Sequence, residues 1–191
     1  MAPTPPLPQL NSSVRPQSST YVRTRHVIDI RPAVPADALE ISALAAEVQA
    51  LHAAAHPAIF KPAGPDTFPA AVIRDRMATA GHRFWVAAAE GEVVGYAYLV
   101  AQAEPETAWR YAGVVATLDQ MSVAARHRGC GVGAGLVAAV RAAAAALGAP
   151  EVRLNVWAFN EGARAFYRRC GFAQVQERLW LPTSGTAAPV A

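Results

Sequence analysis

A glycine-rich turn constrains this chain more than any other feature. The turn spans residues 128–133 and reads RGCGVG, after a predicted strand that ends at Val123 and before an alanine-rich helix, Ala134–Leu147. A turn of this composition directs several backbone N–H groups toward one anion, and the dipole of the following helix adds positive potential there. The sequence therefore predicts a site for a phosphate-bearing ligand.

Three other interpretations of this turn exist, and the spacing of residues argues against two of them. A Walker loop would close with Gly-Lys-Ser/Thr, whereas Gly133-Ala134-Gly135 stands here. A dinucleotide fold would place the turn after the first strand, with an acidic residue about 20 residues further on; here the next strand is followed by Ala158-Phe159-Asn160. A turn that needs glycine for its backbone conformation alone stays open at this point.

Composition excludes several classes of protein. The chain of 191 residues suits one domain, and 53% of them are hydrophobic, many being alanine. No charge-free run reaches the about 18 apolar residues of a membrane span. The net charge of +3 comes from scattered arginines and gives no support for nucleic-acid binding. The two cysteines suggest neither a disulfide framework nor a metal site, so a reducing, cytoplasmic setting is the default expectation.

The two ends of the chain differ from its middle. Residues 1–25 are rich in proline and serine, carry no acidic residue, and are expected to be a disordered leader. They lack the apolar core and cleavage site of a secretory signal. A leader without a targeting function, or a start site assigned too far upstream, is favoured over a transit peptide. A folded domain is expected over residues 26–181, followed by a disordered tail at 182–191.

The pattern of apolar residues predicts alternating strands and helices. In chain order we expect a strand at Val27–Arg31, a helix from Pro35 to about Leu51, a short helix capped by Asp66 or Thr67 and ending at Ala80, a hairpin of Phe84–Ala89 and Val93–Val100, a polar loop at Gln102–Arg110, a strand at Val114–Val123, the alanine-rich helix, a strand at Val152–Trp157, and a helix that begins at Glu161 and is closed by Gly171.

Two motifs together resemble the Gcn5-related N-acetyltransferase (GNAT) family. Arg128-x-x-Gly131-x-Gly133 is similar to that family's acyl-CoA-binding motif, and residues 160–172 (NEGARAFYRRCGF) resemble its next block, with Cys170 where leucine is common. The resemblance covers Val27 to Leu181. It implies an α/β GNAT acyl-CoA N-acyltransferase fold, with a mixed, mostly antiparallel sheet flanked by helices.

The resemblance implies acetyl-CoA as co-substrate, with no metal. The pyrophosphate would accept hydrogen bonds from the amides of the turn, and the pantetheine arm would extend the edge of a strand. The residues expected to bind the coenzyme are Met121, Ser122 and Val123 on the strand, Arg128, Gly129, Cys130, Gly131, Val132, Gly133 and Ala134 in the turn, and Asn160 and Phe166 in the second block. Asn160 is also a good N-cap for the helix that follows it.

The resemblance also implies catalytic roles. Tyr167 corresponds to the general acid beside the thioester sulfur, although a core tyrosine packed beside Phe166 is the plainer interpretation. The family often uses a glutamate on the strand before the turn as the general base. Here that strand carries Asp119, for which a surface or turn-stabilising role is equally open. Strand alternation predicts that Asp119 and Met121 share one face of the sheet.

These features predict an N-acetyltransferase that moves acetyl from acetyl-CoA to a primary amine by direct attack in a ternary complex. A non-catalytic acyl-CoA-binding sensor or interaction module is the alternative. The acceptor is a small-molecule amine or a protein amine, with no nucleic acid and no membrane as partner. His52, His56 and Phe60 fall where the family shapes its acceptor pocket, although solvated loop histidines are the commoner outcome. One strand is expected after Gly171, where many relatives carry two, which leaves a homodimer open.

Overall fold

A computed structural model describes residues 27–181 and residue 183. The predicted leader and, apart from residue 183, the predicted tail lie outside the described residues. The elements are β1 (Ile28–Pro32), α1 (Ala38–Ala55), α2 (Ala70–Met77), β2 (His82–Ala89), β3 (Glu92–Glu104), β4 (Gly113–Val123), α3 (Val132–Ala146), β5 (Val152–Arg153) and α4 (Glu161–Arg169).

The strands form one mixed sheet in the order β1-β2-β3-β4-β5. Neighbouring strands from β1 to β4 are antiparallel, and β5 lies parallel to β4. The β2–β3 hairpin turns at Glu90 and Gly91, which both have positive φ, at 52° and 85°. Two such residues in succession match the right-handed twist of the strands they join. The predicted mixed, mostly antiparallel sheet is confirmed.

Helices cover both faces of the sheet. On one face α1 and α2 pack against the sheet through Ile41, Phe84 and Tyr98. On the other face α3 presents an apolar stripe at helical spacing, which includes Leu136 and Val140. Among the described residues, no helix combines the length and the apolar character needed to cross a membrane.

The β4–β5 pair is much shorter than predicted. The expected strand at Val152–Trp157 is wrong in length, because only Ala116↔Val152 and Thr117↔Arg153 pair. Alternation of apolar residues predicts a half-buried surface, but a strand also needs a neighbour that follows it. Beyond these two pairs β4 and the chain after β5 separate, which leaves one edge of β4 without a strand over residues 118–123.

Three smaller expectations are also corrected. Thr67 does not cap α2, because its Oγ1 accepts the N–H of Gly64 at 2.9 Å and closes an earlier turn; the N-cap is Pro69, and the helix ends at Met77. The strand β3 continues to Glu104, into the predicted loop. No strand follows Gly171 within the described residues, since β5 is too short to offer a partner there.

A partly buried ion pair joins β1 to the start of α1. Both guanidinium Nη atoms of Arg31 donate to the carboxylate of Asp37, each at 2.8 Å, and the N–H of Val34 donates to the same carboxylate at 2.7 Å. These hydrogen bonds, that from Arg31 first, hold the pKa of Asp37 below its usual value although burial opposes them. The pair therefore fixes the angle at which α1 leaves the sheet.

We predict that Asp37→Asn lowers the free energy of unfolding by about 1–2 kcal/mol at neutral pH, because a charge-assisted bidentate pair is lost. A carboxyl with a lowered folded-state pKa stabilises the protein above its usual pKa and loses that contribution as pH falls through the lowered value. The wild type and Asp37→Asn should thus differ less in their free energy of unfolding, measured with urea, below about pH 4.

Glu92→Gln is the matched control, because Glu92 pairs with Arg126 where both side chains are largely exposed. It should change stability by no more than about 0.5 kcal/mol. Equal effects of the two substitutions, or a pH-independent difference for Asp37→Asn, would contradict the role given to this pair.

Candidate active site

The glycine turn presents an uninterrupted row of backbone N–H groups. Gly129 and Gly131 have φ of +76° and +87°, a conformation that other residues adopt only with strain, and Gly131 is the N-cap of α3. Within the described part of the chain the N–H groups of residues 129–131 donate no hydrogen bond. Those of residues 132–134 occupy the first turn of α3, where helix geometry provides no acceptor. All six amides are therefore available to an anion.

Arg128 connects this turn to the end of β4. Its Nε donates to the carbonyl of Val123 at 2.9 Å, and its Nη2 lies 3.9 Å from the carboxylate of Glu47 on α1. The carbonyl of Val123 is thus already bonded, which leaves its N–H and the neighbouring residues for any added strand. Cys130 is exposed in the turn, with Sγ 3.7 Å from the carbonyl of Arg128.

Gly133 lies close to Phe166, a packing constraint that the sequence did not indicate. A Cβ at this position would lie 3.0 Å from Cζ and 3.1 Å from Cε2 of Phe166, closer than side chains normally approach. The ring of Phe166 therefore lies against the first turn of α3 and sets the distance between α3 and α4. In this structure Phe166 supports the turn from the side of α4.

The edge of β4 beside this turn is open. Met121, Ser122 and Val123 pair with β3 on one side, and β5 does not reach them on the other. The Oγ of Ser122 is buried and has no hydrogen-bond partner among the described residues. An exposed strand edge of this kind can accept a peptide-like chain as an added strand.

Tyr167 lies on α4 and packs against the core beneath α3, as does Met121. Its ring contacts Phe166 and Phe172, with centroid separations of 5.2 and 5.5 Å. Burial, and to a lesser degree the charge of Cys170, raises the pKa of Tyr167 to about 12. The phenol therefore keeps its proton at neutral pH, as a general acid must, although the same surroundings fit a core tyrosine.

The expected face of Asp119 is wrong, because β4 has a bulge at this residue. Tyr98 pairs with Gln120 and Leu99 with Leu118, so Asp119 has no partner in register. Leu118 and Met121 consequently both face α3. Asp119 is exposed, and its charge raises the pKa of Tyr96, after the larger effect of burial, which places it near the opposite face.

A buried tyrosine–glutamine pair in this region was not singled out from the sequence. The Oη of Tyr96 donates to Oε1 of Gln120 at 2.9 Å. Burial, followed by the charges of Asp119 and Tyr167, raises the pKa of Tyr96 above its ordinary value. Tyr96 and Tyr98 lie two residues apart on β3, so their alternation already predicted a shared face.

Asn160 caps α4 as predicted. Its Oδ1 accepts the N–H of Ala163 at 3.0 Å. The carbonyl oxygen of the side chain is thereby used in the helix, and the amide NH₂ is left for another partner. The dual role expected of this residue is compatible with the geometry.

Six aromatic and imidazole rings meet near the mouth between β4 and the chain after β5. They are His52, His56, Phe60, Trp157, Phe159 and Trp180, called here the ring cluster. His52, His56 and Phe60 belong to the predicted acceptor region, whereas the other three rings were not singled out from the sequence. Partial burial, and then the charge of His56, lowers the pKa of His52.

No group of three or more His, Cys, Asp or Glu side chains in residues 27–181 is arranged to hold a metal ion. The chemistry that the described site offers is therefore that of amides, a phenol, carboxylates and imidazoles. Free amides suit a diphosphate, an open strand edge suits a chain of amide groups, and a protonated phenol suits an anionic leaving group.

An open mixed sheet with a glycine turn at the first turn of α3 defines an acyl-CoA-dependent transferase fold. The chain belongs to the acetyltransferase (GNAT) family, whose sequence pattern matches residues 45–172. Among curated protein sequences, none matches this chain significantly.

Solved structures share this fold at low sequence identity. The tetramutant of BH1408 protein from Bacillus halodurans is 21% identical, with a TM-score of 0.77, over 81% of this chain and 99% of that one. The aminoglycoside N-acetyltransferase AAC(6')-Iy in complex with CoA is 16% identical, with a TM-score of 0.61, over 83% and 95%. A transcriptional regulator from Bacillus halodurans C-125 is 19% identical, with a TM-score of 0.64, over 82% and 99%. The predicted fold and family are confirmed.

We predict that Gly133→Ala destabilises the protein by about 1 kcal/mol, because overpacking against Phe166 outweighs the helix propensity gained. The same substitution should cost less in a Phe166→Leu background, since a shorter side chain leaves room for the Cβ. Thermal unfolding of the two single variants and the double variant measures this coupling.

Gly162→Ala in α4 provides the control, because its Cβ would meet nothing closer than 3.9 Å. It should be neutral or stabilising by up to about 1 kcal/mol. If Gly133→Ala proves equally harmless, the contact with Phe166 does not constrain the turn.

Proposed function

We propose that this protein is an N-acetyltransferase that moves acetyl from acetyl-CoA to a primary amine by direct attack in a ternary complex. The observation that carries the proposal is the row of free amides at residues 129–134 beside the open edge of β4. The two features lie next to each other in the chain and match the two adjoining parts of coenzyme A, the diphosphate and the pantetheine arm. Membership of the GNAT family supports the same co-substrate.

In this proposal the turn from Arg128 to Ala134 binds the diphosphate. Met121, Ser122 and the N–H of Val123 bind the amides of the arm, and the NH₂ of Asn160 adds a contact from α4. Phe166 contributes by supporting the turn. The coenzyme supplies a thioester, an activated acetyl group that an amine can accept.

Tyr167 and Asp119 take the proton-transfer roles. The neutral amine attacks the carbonyl carbon, a C–N bond forms and the C–S bond breaks. Asp119, exposed in the bulge of β4, accepts the proton that the amine loses, directly or through water. Tyr167 donates its proton to the departing thiolate, and a backbone N–H near Met121 donates a hydrogen bond to the carbonyl oxygen.

The acceptor differs in our proposal from the one named for AAC(6')-Iy. An aminoglycoside carries several positive charges and needs carboxylates around it. The loop that follows α1, residues 56–69, holds a single acidic residue, Asp66. A small amine or a protein amine of low charge fits this chain better.

Binding without transfer is the alternative function. Among the described residues, no hydrogen bond or ion pair orients the carboxylate of Asp119, which favours a sensor or interaction module. The second motif favours transfer, since it keeps Tyr167 at the position that resembles the general acid of the GNAT family. Incubation with acetyl-CoA and a panel of amines, read by release of free thiol, separates the two; saturable binding without release would favour the module.

We predict that Tyr167→Phe lowers kcat by about 100-fold, because the thiolate then leaves without a proton donor. The dissociation constant of acetyl-CoA, measured by calorimetry, should change less than twofold. Tyr111→Phe serves as the control, since this tyrosine is 93% exposed on the β3–β4 loop. An unchanged kcat in Tyr167→Phe would restore the plainer role of a core tyrosine.

We predict that Asp119→Asn also lowers kcat by at least about 100-fold with acetyl-CoA affinity retained, because an amide cannot accept the proton. Asp119→Glu should recover part of the activity, since the bulge leaves room for a longer side chain. The measurement is thiol release at saturating acetyl-CoA. Full activity of Asp119→Asn would show that another group or bulk water accepts the proton.

A further inference from the structure

The ring cluster is assembled from three separate segments of the chain. His52 and His56 lie one turn apart near the end of α1, Trp157 and Phe159 follow β5, and Trp180 comes from the segment after α4. Its contacts include a stacked pair, His52–Phe60 at 5.0 Å, and an edge contact, Phe60–Trp157 at 5.1 Å. Segments so far apart in sequence meet here because β4 and the chain after β5 separate.

The cluster shares its walls with the proposed coenzyme site. α1 packs across β3 and β4, and its Glu47 lies 3.9 Å from Arg128 of the glycine turn. On the other wall Phe159 immediately precedes Asn160, the N-cap of α4. Tyr167 follows on the same helix, about 10 Å along its axis from Asn160. The ring cluster therefore adjoins the elements that carry the proposed coenzyme-binding and catalytic groups.

The loop after α1 is fixed in place over this region. Nε2 of Gln49 donates to the carbonyl of Lys61 at 2.7 Å, which ties the loop back to its own helix. His56 closes the helix, and its N–H donates to the carbonyl of His52 at 2.9 Å. Phe60 is thus held opposite Trp157, so the rings form a preformed surface.

The surface of the ring cluster is apolar, and only its rim is weakly polar. None of the six rings is fully buried, so the cluster keeps an accessible face. The segments 52–60 and 154–160 contain no Asp or Glu. The lowered pKa of His52 leaves its imidazole neutral at pH 7. Such a surface offers stacking to a flat apolar group and no counter-charge to a polycation.

We propose that the ring cluster binds the acceptor, and that the acceptor amine is carried on an aromatic or similarly flat apolar group. This inference rests on the proposed acetyltransferase function, whose acceptor it specifies. The rings stack on the flat group and leave the amine directed into the cleft beside β4. Phe60 and Trp157, from opposite walls, determine the specificity.

The proposal is tested with the full chain, acetyl-CoA and four amines read by thiol release. 2-Phenylethylamine and tryptamine represent flat acceptors, butylamine a short aliphatic one and kanamycin a polycation. We expect kcat/KM for the two aromatic amines to exceed that for butylamine by at least about tenfold, the ratio that one good ring contact provides. Binding of each amine alone is followed by quenching of tryptophan fluorescence.

Variants locate the effect in the cluster. Phe60→Leu and Trp157→Leu should each raise KM for 2-phenylethylamine about tenfold. The loss of kcat/KM should be larger for 2-phenylethylamine than for butylamine, which has no ring to stack, and the affinity for acetyl-CoA should change less than twofold. Trp109→Leu is the matched control: Trp109 is 87% exposed and lines a separate hollow beside the β3–β4 loop.

Each outcome bears on a different claim. Acetyl transfer that prefers butylamine or kanamycin, or a KM that the cluster variants leave unchanged, overturns the inference and leaves the acetyltransferase proposal standing. Binding of aromatic amines without transfer to any amine supports the cluster and contradicts the acetyltransferase. Variants that alter only sedimentation show that a second copy of the chain covers the rings, and they also overturn the inference.

Discussion

The separation of β4 from β5 is the constraint on which the rest of the site depends. Two residue pairs hold the strands together at Ala116 and Thr117, and no pair follows. A sheet edge in the interior of a protein leaves N–H and carbonyl groups unsatisfied, which is costly unless a ligand or water meets them. Here that edge continues directly into the glycine turn. In the proposed function the open edge binds the amide groups of the pantetheine arm, and the nearby turn binds the diphosphate.

The glycines of the turn answer two different physical demands. Gly129 and Gly131 adopt positive φ with open space around them, so the backbone conformation requires them. Gly133 lies within α3 and has no such conformation; it is favoured there because a Cβ would crowd the ring of Phe166 on α4. A motif that appears uniform in sequence thus combines a turn requirement with a packing requirement. Only the first is visible without knowing which helix lies opposite.

The sequence predicted the elements better than their pairing. Alternation placed β2, β3 and β4 nearly where they lie, and Asn160 was correctly expected to cap α4. The length of β5 and the face of Asp119 were wrong, because both depend on register between strands distant in sequence. A bulge at one residue reverses the alternation after it, and nothing local at Asp119 marks one. The ring cluster was missed in part for the same reason, since Trp157 and Trp180 meet His56 only through tertiary structure.

The proposed mechanism asks one cleft both to give and to take a proton. Burial penalises the charged form of the Tyr167 phenol, whereas Asp119 is exposed in the bulge of β4. A general acid and a general base need such different surroundings to act at the same pH. Leu118 and Met121 both face α3, so the bulge lies between them and places Asp119 on a different face from Met121. In the proposed mechanism the proton acceptor and the proton donor therefore come from two structurally different places, an exposed bulge in β4 and the buried side of α4.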